Sequence, residues 1–201
     1  MGLQNKGETS GLRFKILLAG EEGVGKTSLI IRFLNNSFDA VSKQKAIEGD
    51  YITTNLNLFG APVRLDIQDL KEENWSEMVS YYTKDNDGIL LVFDSNSAKP
   101  VKPYLDLWLK SIRNVNTEIP IIILGNKSDL PVKAQIKKIS QYISSLSFHF
   151  IQTSAKTGEN VSYAFKLIVS EIVKSKAAEK KKTGGTRRTD GLDPIFDRYK
   201  L

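Results

Sequence analysis

Gly20-Glu-Glu-Gly-Val-Gly-Lys-Thr27 is the stretch that decides the fold, because an apolar run leads into it and an amphipathic run leaves it. Residues 14–19 form the first run and residues 28–34 the second. Where a strand, a loop and a helix follow in this order, backbone N–H groups converge on an anion at the positive end of the helix dipole. The alternative is a glycine-rich turn before an ordinary helix, and the flanking runs disfavour it. The stretch therefore predicts a phosphate-binding loop.

Two side chains at the end of this loop suit a nucleotide with several phosphates. In loops of this spacing the Lys26 ammonium reaches the β- and γ-phosphates, and the Thr27 hydroxyl is a ligand for Mg²⁺. The remaining residues predicted to bind the nucleotide here are Gly20, Glu22, Gly23, Val24, Gly25 and Ser28. We expect the chain to bind a nucleoside diphosphate or triphosphate with Mg²⁺.

Length and composition describe a single globular domain with polar ends. Of the 201 residues, 40% are hydrophobic and 26% are charged, which is typical of a domain with its own core. The chain has no cysteine, so we expect no disulfide, no thiolate metal site and no prenyl anchor. No apolar run approaches the roughly 18 residues of a membrane span. We therefore expect a cytoplasmic protein that meets membranes only peripherally.

The net charge of +6 is concentrated near the C-terminus. Residues 174–201 contain nine Lys or Arg against four Asp or Glu. This excess indicates a solvated tail, and the alternative is weak contact with an acidic membrane surface or an acidic partner. Nucleic acid is a poor partner because the basic residues lack interleaved aromatics. We expect a flexible leader over residues 1–11, a nucleotide-binding domain over 12–176, and a basic, disordered tail over 177–201.

Strand and helix patterns alternate between the leader and the tail. Nearly continuous apolar runs, such as residues 89–93 and 121–124, predict parallel strands covered on both faces. Residues 51–59 alternate instead, and the turn after them predicts a hairpin. Six strands are predicted, over residues 14–19, 51–59, 63–68, 88–94, 119–125 and 148–153, with helical stripes over 101–112, 136–146 and 161–172. The pattern predicts an α/β, doubly wound, mostly parallel sheet with one antiparallel edge strand and ligands at the carboxyl ends of the strands.

Two more loops follow predicted strands at that same edge and indicate guanine. Asn126-Lys-Ser-Asp129 follows the fifth strand, and Asp129 can accept hydrogen bonds from both N1–H and N2–H₂ of guanine. Asn126 can tie this loop to the phosphate loop, and the stem of Lys127 can lie over the base. The last predicted strand leads into Ser154, Ala155 and Lys156, where a backbone N–H can meet guanine O6. Three loops in this order predict a guanine-nucleotide site.

On these motifs the chain resembles the Ras superfamily of small GTPases, most closely the Rab branch, over residues 12–176. The resemblance implies a regulatory switch that binds and hydrolyses GTP, in membrane traffic or cytoskeletal regulation. It implies that Phe38 packs against the base, although a core position at a helix end is an alternative, and that Asp69 reaches Mg²⁺ through a water. Effectors or regulators would bind at the switch surface. Three aromatic residues are candidates for that surface, with core packing as the alternative for at least one of them: Trp75, Tyr81 and Tyr82.

Three departures from the family pattern fall where the third phosphate is sensed and cleaved. In switch II, Glu72 replaces a glycine whose N–H contacts the γ-phosphate, and Glu73 replaces the glutamine that positions the attacking water. Switch I, over residues 42–49, lacks the threonine that completes the Mg²⁺ shell. Glu22 stands in the phosphate loop where many relatives have a small residue. We predict slow hydrolysis, with Lys26 and Glu73 at the catalytic positions; the alternative is a guanine-nucleotide-binding scaffold that does not switch.

Overall fold

The structure, a computed structural model, describes residues 12–35, 51–58, 61–70, 75–131 and 135–183. Within these ranges one sheet contains the strands β1 Leu12–Ala19, β2 Tyr51–Leu58, β3 Ala61–Asp69, β4 Gly88–Asp94, β5 Ile121–Asn126 and β6 His149–Gln152. The helices of the same ranges are α1 Lys26–Asn35, α2 Trp75–Asp85, α3 Val101–Val115, α4 Gln135–Ser145 and α5 Val161–Thr183.

The strand order is β2-β3-β1-β4-β5-β6. Strand β2 runs antiparallel to β3, and the other neighbouring pairs are parallel, so the predicted fold is confirmed. The chain moves from β1 to one side of the sheet and later returns to the other side at β4. The carboxyl ends of β1 and β4 therefore flank the point where the winding reverses, which is where ligands bind in such sheets. The phosphate loop follows β1 at this point.

Apolar side chains cover both faces of the sheet. On one face they pack against α1 and α5, where the rings of Phe33 and Phe165 stack with their centroids 4.0 Å apart. On the other face they pack against the remaining helices, with Leu105 and Ile112 fully buried. Because both faces are covered, the central strands must be apolar at successive positions. This accounts for the continuous apolar runs in the sequence.

Helix α5 continues to Thr183, beyond the domain boundary that the sequence predicts at residue 176. Residues 177–182 are Ala, Glu and Lys, all strong helix formers. Lys176 Nζ also lies 2.7 Å from Asp87 Oδ1 on the body of the domain. The assignment of residues 177–183 to a disordered tail is therefore corrected, since a run of lysines suits an exposed helix as well as a coil. Of the helices described, none is long and apolar enough to cross a membrane.

Candidate nucleotide-binding site

Two glycines let the phosphate loop approach its neighbours closely. Gly20 and Gly25 have φ values of +146° and +97°. A β-carbon at Gly20 would overlap the carbonyl oxygen of Val92 on β4, and one at Gly25 would overlap Nδ2 of Asn126. Larger residues would push the loop away from both contacts. The loop is thereby seated against β4 and against the first residue of the predicted guanine loop.

Lys26 begins α1 and directs its ammonium back over the loop. Its side-chain nitrogen donates to the carbonyl oxygens of Gly20 at 2.5 Å and Glu21 at 2.8 Å, and the residue is 8% exposed. The helix starts with a hydrogen bond from Leu29 N–H to the Gly25 carbonyl. A nearly buried ammonium at a helix N-terminus favours an anion there.

The residue after Lys26 brings a hydroxyl to a carboxylate. Thr27 Oγ1 donates to Oδ2 of Asp69, the last residue of β3. Mg²⁺ prefers oxygen ligands of these two types, together with phosphate oxygens. The structure thus brings together the two residues that the sequence assigns to the metal.

Beside the phosphate loop lies a cavity of about 250 Å³. Residues from three loops and the first turn of α1 line it, and all except Leu130 are among the predicted nucleotide-binding residues. They are Gly23, Gly25, Ser28, Asn126, Lys127, Asp129, Leu130, Ala155 and Lys156. The carboxyl edge of the sheet therefore carries one continuous site with a phosphate end and a base end.

Asn126 joins the loops of this site. Its Nδ2 donates to the Val24 carbonyl at 2.8 Å, and its Oδ1 accepts from the Ala155 N–H at 3.1 Å. The residue is only 1% exposed, so both hydrogen bonds are shielded from water. This geometry fits the predicted tie between the guanine loop and the phosphate loop, and extends it to the loop after β6.

Asp129 and Lys127 are held in place by neighbouring side chains. Asp129 Oδ1 accepts from the Ser154 hydroxyl at 2.6 Å, and that hydroxyl accepts from the Thr157 N–H at 3.0 Å. Lys127 has a φ of +66°, and its ammonium lies 2.7 Å from Asp94 Oδ2. A fixed carboxylate at the base end suits the paired donors of guanine.

The family of the chain follows from a comparison over most of its length. Residues 15–174 match the family model described as Ras family. The chain belongs to the Ras family. This small GTPase is 31% identical over 185 residues to the Ras-related protein Rab-13 of Canis lupus familiaris, covering 90% of this chain and 89% of that protein. It is 33% identical over 173 residues to the Ras-related protein RABA1c of Arabidopsis thaliana, covering 83% of this chain and 79% of that protein.

Membership gives this Rab-like GTPase its general activity as a GTP-binding regulatory switch and GTP hydrolase. The residues present fit guanine nucleotide and Mg²⁺. The loop backbone and Lys26 would hold the phosphates, while Thr27 and Asp69 would hold the metal directly or through water. Mg²⁺ would supply neutralisation of phosphate charge. Asp129 would supply the acceptors that distinguish guanine from adenine.

Two contributors to the GTPase site escaped the sequence analysis. Arg32 of α1 donates from Nε to the Ala155 carbonyl at 2.7 Å and from its guanidinium to the Lys156 carbonyl, holding the last loop against α1. No sequence motif predicts this contact of Arg32. Asp94 positions Lys127, and it is the last residue of β4 as Asp69 is the last residue of β3. Its place at the carboxyl end of a predicted strand could therefore have indicated a role at the ligand edge.

The other predicted residues differ in whether they are exposed, packed against the core or outside the described part of the chain. Glu22 is exposed on the turn of the phosphate loop. Tyr81 is 55% exposed, whereas Tyr82 packs against the core beneath α2 and α3. Several predicted positions lie outside the described residues: Phe38, Glu72, Glu73, all of switch I over 42–49, and the side chain of Trp75.

Proposed function

We propose that this GTPase is an atypical Rab-like switch that hydrolyses GTP slowly and regulates membrane traffic or cytoskeletal organisation. The observation that carries the proposal is Glu22, whose exposed carboxylate stands on the turn of the loop that holds phosphates. A negative charge in that loop would repel the negative charge on the oxygens of the transferred phosphoryl group and so raise the barrier to hydrolysis. It also takes up space needed by an attacking water or by an arginine from an activating protein.

The sequence of switch II supports the same proposal. Glu72 and Glu73 follow Asp69 by three and four residues, at the family positions for a glycine and the water-positioning glutamine. An ionised glutamate accepts a hydrogen bond from water but cannot donate one to the developing charge. Two more carboxylates at these positions would add to the repulsion of phosphate.

Single-turnover hydrolysis of Mg²⁺-GTP tests the proposal. Glu22→Gly and Glu73→Gln should each raise the rate about tenfold, equivalent to about 1.4 kcal/mol of barrier. Glu118→Gln is the matched control, because Glu118 is 77% exposed and precedes β5 at the opposite edge of the sheet. A wild-type rate equal to that of a conventional Rab measured alongside would contradict slow hydrolysis.

A second candidate is a guanine-nucleotide-binding scaffold without switching. The absence of a threonine from residues 42–49 favours it, because that threonine normally closes switch I on GTP. Hydrogen exchange of α2 in the GDP and GTP-analogue forms separates the two functions. Protection around Tyr81 that differs between the forms supports a switch whose effectors bind at this surface. Identical protection supports the scaffold.

We also propose weak peripheral contact with acidic membranes through the basic residues that begin in α5. Lys181 and Lys182 are exposed at the end of this helix, and a single basic patch gives weak, salt-sensitive attraction. Co-sedimentation with phosphatidylserine vesicles should exceed that with phosphatidylcholine vesicles and should fall with added salt. Equal binding to both vesicle types, or Lys181→Gln/Lys182→Gln protein that sediments like the wild type, would count against this contact.

A further inference from the structure

The hydroxyl of Tyr104 bridges α3 and the phosphate loop. Tyr104 lies in the first turn of α3, and its hydroxyl accepts from the Glu21 N–H at 3.1 Å. The same hydroxyl donates to the Val92 carbonyl of β4 at 3.2 Å. Its ring packs at 5.6 Å from the ring of Trp108, which is buried in the core. A half-buried side chain that packs against the core therefore reaches a backbone donor of the phosphate loop.

Tyr104 and Lys26 hold opposite ends of one peptide plane. In the peptide between Gly20 and Glu21, the N–H donates to the Tyr104 hydroxyl. The carbonyl oxygen of the same peptide accepts from the Lys26 ammonium. The next carbonyl, that of Glu21, also accepts from Lys26. Rotation of this peptide would break the bond to Tyr104 and turn the Gly20 carbonyl away from Lys26. The orientation of the ammonium thus depends on the orientation of the peptide.

These two carbonyls set the position of the Lys26 ammonium, because its nitrogen donates to both of them. While the Gly20–Glu21 peptide keeps its orientation, the ammonium keeps its place over the loop. A charge-assisted hydrogen bond to a phosphate oxygen depends on the position of the donor.

We propose that Tyr104 is a positioning residue for phosphate binding, which acts through the Gly20–Glu21 peptide on the Lys26 ammonium. The proposal rests on the binding of guanine nucleotide described above. Helix α3 also packs against α2, the helix that follows switch II. Tyr104 therefore links that pair of helices to the phosphate loop by one hydrogen bond and to β4 by another.

Tyr104→Phe tests the proposal, because it removes the hydroxyl and keeps the ring against Trp108. The affinities of the full chain for GDP and GMP are measured by competition with a fluorescent GDP in excess Mg²⁺. GMP lacks the β-phosphate that Lys26 is predicted to reach, so its affinity reports on the rest of the site without that contact. The Kd for GDP should rise about three- to tenfold, as expected for one hydrogen bond, while the Kd for GMP changes by less than about twofold.

The matched control is Tyr163→Phe, since Tyr163 is 57% exposed on α5; its GDP affinity should equal that of the wild type. Nucleotide-free Tyr104→Phe should remain folded, with Tm lowered by only about 2–4 °C for each hydrogen bond that it loses. An unchanged GDP affinity, or equal losses for GDP and GMP, would overturn the positioning role. If the wild-type chain bound neither nucleotide, the nucleotide assignment would fail first and the proposal with it.

Discussion

Under the proposed function, the base end and the γ-phosphate end of the site differ in how closely they keep the family pattern. At the base end, hydrogen bonds of 2.6–3.1 Å that Asn126 and Ser154 donate or accept join three loops into one unit. At the phosphate end, Glu22 stands in the loop, and Glu72 and Glu73 follow Asp69 in the sequence, where the family resemblance implies uncharged residues. We propose that holding GTP and cleaving it are separable properties here, which can be tested on separate residues.

The largest expected effect is the loss of Asp129. Asp129→Ala removes two acceptors for guanine, and at roughly 1.5–3 kcal/mol for each charge-assisted bond the Kd for GDP should rise about 10²- to 10⁴-fold. Isothermal titration with GDP measures this. Asp106→Asn is the control, because Asp106 pairs with Lys102 on the outer surface of α3. If Asp129→Ala kept GDP affinity, the base end would not be the part that holds the nucleotide.

Gly25 and Gly23 form a matched pair at the junction of the two ends. Both have positive φ values, but a β-carbon would strike Asn126 at Gly25 and meet nothing within 4 Å at Gly23. Gly23→Ala should lower the free energy of unfolding only by the left-handed backbone penalty of about 1–2 kcal/mol. Gly25→Ala should lower it by about a further 1–3 kcal/mol, because the added methyl group overpacks the contact with Asn126. Urea unfolding without nucleotide compares the two, and equal losses would contradict the close approach of Asn126.

Arg32→Gln should weaken the base end without disturbing phosphate contacts. It removes two hydrogen bonds to the loop after β6, with an expected net loss of about 1 kcal/mol, or about fivefold in Kd for both GDP and GMP. Lys110→Gln, at an exposed position of α3, serves as the control. A loss confined to GDP would place the role of Arg32 at the phosphate end instead.

The smallest effect concerns Asp66, which belongs to neither end. Burial raises the pKa of this carboxyl, but hydrogen bonds from Thr53, Arg13 and Arg64 outweigh it and hold the pKa below its usual value. The folded state therefore binds protons less readily than the unfolded state. The stabilisation is fully present above about pH 4 and is lost as the pH falls through the folded pKa.

Asp66→Asn should lower Tm at neutral pH by about 2–4 °C, as for a loss of about 1 kcal/mol. It should also flatten the fall in stability between about pH 4 and more acidic conditions. Thermal unfolding across this range measures both. GDP affinity at neutral pH should not change; a changed affinity would mean that this network communicates with the site.

The sequence predicts where the loops that directly follow strands lie, but it does not predict single side chains that bridge separate elements. The phosphate loop, Asn126 to Asp129 and the loop after β6 each follow a strand directly, so topology alone brings them to one edge. The contacts of Arg32 and Tyr104 cross between elements far apart in the chain, and no local pattern encodes them. The sequence also does not show that helix α5 continues past residue 176 to Thr183, because charge density does not distinguish a helix from a coil.

Helix α5 also sets the orientation of the domain on any tether. It begins next to the loop after β6, where Val161 N–H donates to the Gly158 carbonyl at 3.3 Å. It ends near the opposite edge of the sheet, where Lys182 lies 4.0 Å from Glu118. Its 23 residues correspond to about 34 Å of helix. A surface or partner that bound the chain beyond Thr183 would attach to the domain at the edge of the sheet opposite the nucleotide site. The nucleotide site would then point away from the attachment and stay accessible to exchange factors.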